Sequence, residues 1–190
     1  MKIITISGLD GSGKSTQREM IRVWLESQGE KIFYFHSIQF GLANKYSKKS
    51  ESETGKSITK ASCWKIILRK AFLKIDLARF RLLASSLANK GYDYILSDRY
   101  FYDNLINIAY LSKKDYSCTC GIVKPDVAIY LDANPERIMT RKRKPDQGIE
   151  YLKEKKEIFG KVYQKFEMIR VDGNRDENKI FEEIKKHLVS

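Results

Sequence analysis

Residues 8–16 read GLDGSGKST and fit the spacing G-x-x-x-x-G-K-[ST] with Gly8, Gly13, Lys14 and Ser15. Gly11 and Gly13 let the backbone curl until several N–H groups, that of Ser12 among them, face one point, and the helix that follows adds the positive end of its dipole. A triphosphate fits such a cradle. Lys14 is expected to reach the β- and γ-phosphates, and the hydroxyl of Ser15, followed by Thr16, to ligate Mg²⁺. The predicted ligand is therefore a triphosphate with its metal.

Two further segments carry matching chemistry. Asp98 ends the apolar run YDYILS at 92–97, a suitable place for a carboxylate that holds the water shell of Mg²⁺; the plainer alternative is a strand-end ion pair with Arg99. Arg141-Lys142-Arg143-Lys144, followed by PDQG, breaks all periodicity and predicts a flap at about 141–150. Phosphoryl transfer needs positive charge over the moving oxygens and exclusion of water, and an arginine-bearing flap supplies both. A solvated charge run has the same composition.

These residues need a frame that brings their segments to one edge. Lys2 to Ser7 reads as an apolar strand, and Ile21, Trp24 and Leu25 stripe a helix that Gly29 can stop. KIFYF at 31–35 is a second strand, with Phe33, Tyr34 and Phe35 read as core between two helical layers, and KYSKKSESETGKS at 45–57 is a polar loop. A long helix is expected from about Ser62 to Lys90, with Ile67, Ala71, Ala78, Leu82 and Leu83 among its apolar positions. YDYILS is the third strand and Asp103 to Leu111 a short helix. VAIYL at 127–131 is the fourth strand, followed by Asp132 and by Asn134 capping a helix that starts at Pro135. Tyr151 to Phe166 resumes a helix, MIRV at 168–171 is the fifth strand, and Ile180, Phe181, Ile184 and Leu188 stripe a terminal helix.

Five short apolar strands separated by helices predict a five-stranded parallel sheet covered on both faces, an α/β fold of three layers forming one domain over 1–190. Ligands of such sheets bind beyond the carboxyl ends of the strands. Those ends carry GLDGSGKST, His36 and Gln39, Asp98 and Arg99, and Asp132.

The chain has 190 residues, 42% hydrophobic, with 36 Lys and Arg against 24 Asp and Glu, a net charge of +12. One sizeable core is within reach of that length. The excess sits at Lys45, Lys48, Lys49, Lys56, Lys60, Lys65, Arg69, Lys70 and Lys74 and again at 137–144, and it suits a polyanion: nucleic acid or the phosphates of small molecules. A nucleic-acid binder should interleave bases and aromatic rings along one face, which residues 33–35 read as core do not offer. No apolar run approaches the ~20 residues of a membrane span, and MKIITISG shows no cleavable signal pattern. A cytoplasmic location is expected, with Cys63, Cys118 and Cys120 reduced, since the lone C-x-C has no second pair to complete a zinc site.

GLDGSGKSTQ, SDRY at 97–100 and PDVAIYLDANPERIMTRKR at 125–143 resemble the thymidylate kinase family in order, spacing and local sequence, over most of the chain. The resemblance implies a P-loop kinase that moves the γ-phosphoryl of ATP to a nucleoside monophosphate, dTMP foremost. It implies Asp98 on the magnesium side, Arg99 and Arg79 on the acceptor phosphate, Tyr100 as the aromatic of the Asp-Arg motif, and Asp10 near the sugar 3′-hydroxyl. Arg141 is similar to the arginine stacked on adenine and Arg143 to a flap arginine that reaches the transferred phosphate. Related enzymes pair through helices, and the apolar content of residues 64–87 is compatible with a homodimer, as it is with a monomeric core.

The departures fall on the acceptor side. FHSIQFG at 35–41 lacks the arginine that the family carries after its second strand, and Ile75 stands where an aromatic ring would pack on the acceptor base. Asp103-Asn104 replaces Ser or Thr, and the flap pair reads Asp146-Gln147. A monophosphate acceptor is already ionised, so positioning by Arg79 and Arg99 suffices, whereas a hydroxyl acceptor would need Asp103 to take its proton. Two alternatives stay open: a kinase of this fold acting on another nucleotide, a nucleoside or a phosphorylated small molecule, and an ATP-dependent nucleic-acid-binding protein.

Overall fold

The computed structural model describes residues 1–42, 63–114, 121–141 and 144–189. Strand β1 (Lys2–Gly8) is buried at every position after the first, as a strand covered on both faces must be. It lies at the centre of a parallel sheet ordered β2-β3-β1-β4-β5, with β2 at Ile32–Phe35, β3 at Tyr94–Asp98, β4 at Val127–Asp132 and β5 at Ile169–Asp172. The register sets Ile6 beside Asp98 and Gly8 beside Leu131. The loop after β1 therefore leaves the sheet between the ends of β3 and β4.

Helices α1 (Lys14–Ser27) and α7 (Glu177–Val189) cover one face, where Ile21, Leu25, Ile180 and Ile184 pack on Ile4, Ile6, Leu96, Ile129 and Val171. The other face is covered by α3 (Cys63–Asn89), α4 (Phe101–Ser112), α5 (Pro135–Met139) and α6 (Gly148–Val162), through Leu73, Leu77, Phe80, Leu105, Ile138 and Phe159. The predicted three-layer α/β/α arrangement is the one observed. Asn134 caps α5 by accepting from the Glu136 N–H, with Pro135 in its first turn.

Several boundaries differ for local reasons. A short helix α2 (Ser37–Phe40) follows β2, capped by the His36 side chain. Helix α4 starts at Phe101, ahead of Asp103, because Asp103 reaches back to the Tyr100 N–H in a capping box. Helix α6 starts at Gly148 and ends at Val162, and Glu167 turns the chain into β5 at φ 51°. Of the apolar positions named on α3, Ile67, Ala71, Ala78 and Leu82 are exposed and Leu83 is partly buried against the core, while Leu73, Leu77, Phe80 and Leu87 enter it. This helix carries apolar residues on two opposite faces, so periodicity alone does not choose between them. Tyr34 is also corrected: β2 is an edge strand, and the ring lies exposed under the Arg18 guanidinium at 4.5 Å. The polar loop at 45–57, Cys118 and Cys120 lie outside the described residues. Among the described residues no helix is long and apolar enough to cross a membrane.

Candidate active site

The glycine loop is shaped by close approach. At Gly8 a Cβ would stand 2.6 Å from the Leu131 carbonyl oxygen of β4, so a larger residue would push the loop off the sheet. Gly13 takes φ 104° at the start of α1, a conformation that favours glycine. Lys14 is buried and donates to the Leu9 carbonyl at 2.6 Å. Burial pushes its ammonium below the ordinary lysine range, while Asp98 and Asp103 oppose that shift.

Ser15 donates its hydroxyl to Asp98 Oδ2 at 2.8 Å. The other carboxylate oxygen of Asp98 is buried with no hydrogen-bond partner among the described residues, as is Ser12 Oγ. A hydroxyl and a carboxylate with an unused oxygen, both hard donors at the mouth of a phosphate loop, fit Mg²⁺, which takes few protein ligands and completes its shell with water and phosphate oxygens. Among the described residues there is no cluster of three or more His, Cys, Asp or Glu able to hold a metal by themselves.

Arg99 has φ 71° on a non-glycine residue, a conformation that costs free energy and persists only where the surroundings enforce it. Here its N–H donates to Ile6 O at 3.0 Å, and its carbonyl accepts from Ser97 Oγ at 2.8 Å and from the Ser37 N–H at 3.2 Å. The result turns the guanidinium to the loop, where it pairs with Asp10. Tyr151 of α6 donates its hydroxyl to the second oxygen of Asp10 at 3.1 Å. Arg141 reaches the loop from the other side and donates to the Gly11 carbonyl.

One cleft thus collects Gly11, Gly13, Lys14, Ser15, Thr16, Asp98, Arg99 and Arg141, joined by His36. An adjoining cleft runs from Ser12 and Thr16 past Arg141 and Arg137 to Gly173 and Arg175 at the β5–α7 turn. The imidazole of His36 is pushed down by burial, against the pull of Asp98 and Asp103.

Other expected site residues are placed elsewhere. Arg79 pairs with Asp76 at 2.6 Å, donates to Phe40 O at 3.2 Å and lies over the Phe40 ring, so its charge is engaged between α3 and α2 rather than across from the loop. Tyr100 is fully buried, its ring packed among Phe35, Phe80 and Phe101 and its hydroxyl on Val123 O at 2.7 Å. Asp103 is buried and accepts from Ser7 Oγ at 2.5 Å and from the Tyr100 N–H at 3.0 Å; it ties β1 to α4 and has no place as a base. Ile75 is 48% exposed and lines none of these clefts. The space beside α2, α3 and α4 is lined instead by Ser37, Asp76, Asn104 and Asn107 together with Ile38, Leu73 and Ile108. Lys142 and Arg143 lie outside the described residues.

Residues that reasoning from sequence passed over are Tyr151, Lys155, Arg137 and Arg175. A lysine standing in the apolar register Leu152, Lys155, Phe159, Val162 was the legible signal for one of them. Arg137, on α5, was legible only as part of the basic cluster at 137–144, and Arg175 is brought to the adjoining cleft by the β5–α7 turn with no local pattern to mark it.

The chain matches the thymidylate kinase family over residues 6–185. It is 27% identical to the thymidylate kinase of Prochlorococcus marinus subsp. pastoris, with 99% of this chain and 94% of that one aligned. Identity to the Leptospira interrogans enzyme is 28%, covering 95% and 90%. The thymidylate kinase structure from Candida albicans superposes with a TM-score of 0.69 at 19% identity, over 99% of this chain and 91% of that one, a likeness of fold. Since the matched span runs from the end of β1 into α7 and takes in every segment that builds the cleft, the chain belongs to the thymidylate kinase family.

Proposed function

We propose that the protein transfers the γ-phosphoryl group of ATP to the phosphate of dTMP, giving dTDP and ADP. The observation that carries this reading is a single cleft in which Lys14 and Ser15 face Arg99. An acceptor phosphate oxygen held by Arg99 attacks the γ-phosphorus, the new P–O bond forms, and the bridging bond to the β-phosphate breaks with its electron pair leaving on ADP. No proton has to be removed. The loop amides and Lys14 bind the donor phosphates, and the cleft between Arg141 and the β5–α7 turn accommodates the donor base.

Ser15 and Asp98 would hold Mg²⁺, which supplies positive charge to the β- and γ-oxygens when bound. Asp10, oriented by Arg99 and Tyr151, faces the acceptor sugar in this reading. Arg143, on the flap at about 141–150, is assigned the transferred phosphate. The activity fits a cytoplasmic enzyme. The exposed apolar row Trp64, Ile67, Ile75 and Leu82 on α3, joined by Ala71 and Ala78 at spacings of three and four, fits pairing with the same helix of a second copy.

A coupled ADP-release assay tests the reading: turnover with dTMP is expected, and none with dTMP, dUMP or any other monophosphate would overturn it. The exposed Ile75 and the polar lining around Asn104 and Asn107 favour a second reading, in which another acceptor base is preferred. Thermal shifts with a panel of acceptors in the presence of ADP separate the two, because a true ligand raises stability by RT ln(1 + [L]/Kd).

A further inference from the structure

Lys155 projects from α6 into the interior with 6% of its surface exposed. Among the described residues its ammonium makes no hydrogen bond or ion pair; it lies over the ring of Tyr151, one turn back, with the nitrogen 4.6 Å from the centroid. Tyr151 holds Asp10, and Asp10 holds Arg99, so this amine stands behind the layer of side chains that faces the glycine loop. The neighbouring lysines of α6 are engaged elsewhere, Lys153 with Glu136 of α5 and Lys156 with Asp132 of β4. Lys155 has no such anion among the described residues, only the ring of Tyr151.

A buried amine without a carboxylate partner is costly, and it stands here in the otherwise apolar register Leu152, Phe159, Val162. The acceptor side lacks the arginine expected after β2, and Arg79 is held by Asp76. We infer that Lys155 is the second cation of the acceptor-phosphate site, taking a proton from solvent and pairing with the acceptor's phosphate as it binds beside Arg99. The inference rests on the monophosphate-kinase reading given above.

The electrostatics agree. Burial, with Arg99 of the β3–α4 turn and Lys14 of the loop, lowers the Lys155 pKa to about 7, against the opposing pull of Asp103 on α4. Around neutrality the amine is therefore poised to gain a proton once a dianion arrives to offset those two cations. The protonated form binds, so acceptor affinity falls as pH rises through the free-enzyme value. The acceptor's own phosphate titrates in the opposite sense, and the ratio of wild-type to variant profiles removes that contribution.

The experiment is calorimetric titration of the ADP-bound protein with dTMP at about pH 8, in two buffers of different ionisation enthalpy, on wild type, Lys155→Met and Lys155→Arg. Wild type is expected to take up roughly half a proton or more per dTMP bound. Lys155→Met, which keeps the apolar stem, should take up none and bind dTMP on the order of tenfold more weakly, with ADP affinity unchanged. Lys155→Arg should bind tightly without uptake. Equal dTMP affinity in wild type and Lys155→Met, or equal proton uptake in both, overturns the role of Lys155 while leaving the kinase reading intact. Failure of wild type to bind dTMP while ADP still binds overturns that reading, and this inference with it.

Discussion

Lys14, Arg99 and Lys155 are three cations in one small volume, and each is held by a different means. Lys14 is tied to Leu9 O and Arg99 to Asp10, whereas Lys155 has only an aromatic ring. Lys14→Ala is expected to lower turnover by roughly a hundredfold or more, since it removes the charge that faces the transferred group, as steady-state kinetics would read. Arg99→Ala and Arg99→Gly should both raise the acceptor KM and lower kcat while ATP binding, measured directly, persists. Glycine takes φ 71° without the steric cost that alanine bears there, so the glycine variant should be the more stable by about 1 kcal/mol in denaturant unfolding. Lys155 carries a folded-state pKa depressed to about 7, so the unfolded chain binds more protons and stability rises with pH above that value towards the ordinary lysine range. Lys155→Met should therefore raise stability near neutral pH, by up to roughly 4 kcal/mol, and lose that advantage in strongly alkaline solution, as thermal melts across pH would show.

The strands and helices deliver these groups through a few specific joints. Gly8 passes against Leu131 O, and Asp103 pins α4 to β1 through Ser7 while capping the helix. Asp103→Ala leaves the Ser7 hydroxyl and the Tyr100 N–H unsatisfied in the interior, which should cost about 2–4 kcal/mol and lower Tm by several degrees. Retained acceptor turnover in the folded fraction would agree with a structural role for this carboxylate; a loss of kcat in folded protein would restore it to the chemistry. Strand and helix identities were legible from apolar periodicity and from signals such as Asn134-Pro135. The short helix after β2 was not, because its cap is a histidine side chain and its body is four residues long.

Helix α3 carries two apolar faces. Leu73, Leu77, Phe80 and Leu87 face the sheet, and Trp64, Ile67, Ile75 and Leu82 face outward with exposures of 70%, 58%, 48% and 74%. Exposed apolar rows of this extent mark interaction surfaces, and the spacing of three and four suits a like helix. Leu82→Glu is expected to convert a dimer into a soluble monomer of unchanged fold, read by light scattering with size-exclusion chromatography; a wild-type chain that is monomeric at high concentration would remove this surface from the account of assembly.

Local rules were enough to identify the phosphate loop and the parallel sheet and to bring Ser15 and Asp98 together at its mouth, because a glycine pattern between a strand and a helix leaves the backbone few conformations and the strand end places its own carboxylate. Which of several arginines and aromatics face the cleft was decided by packing across distant segments. Arg79 met Asp76 and Phe40, Tyr100 met Phe35 and Phe80, and Lys155 came to stand behind Arg99. A side chain's partner depends on which helix faces lie together, and that is a property of the assembled layers rather than of any short stretch of chain.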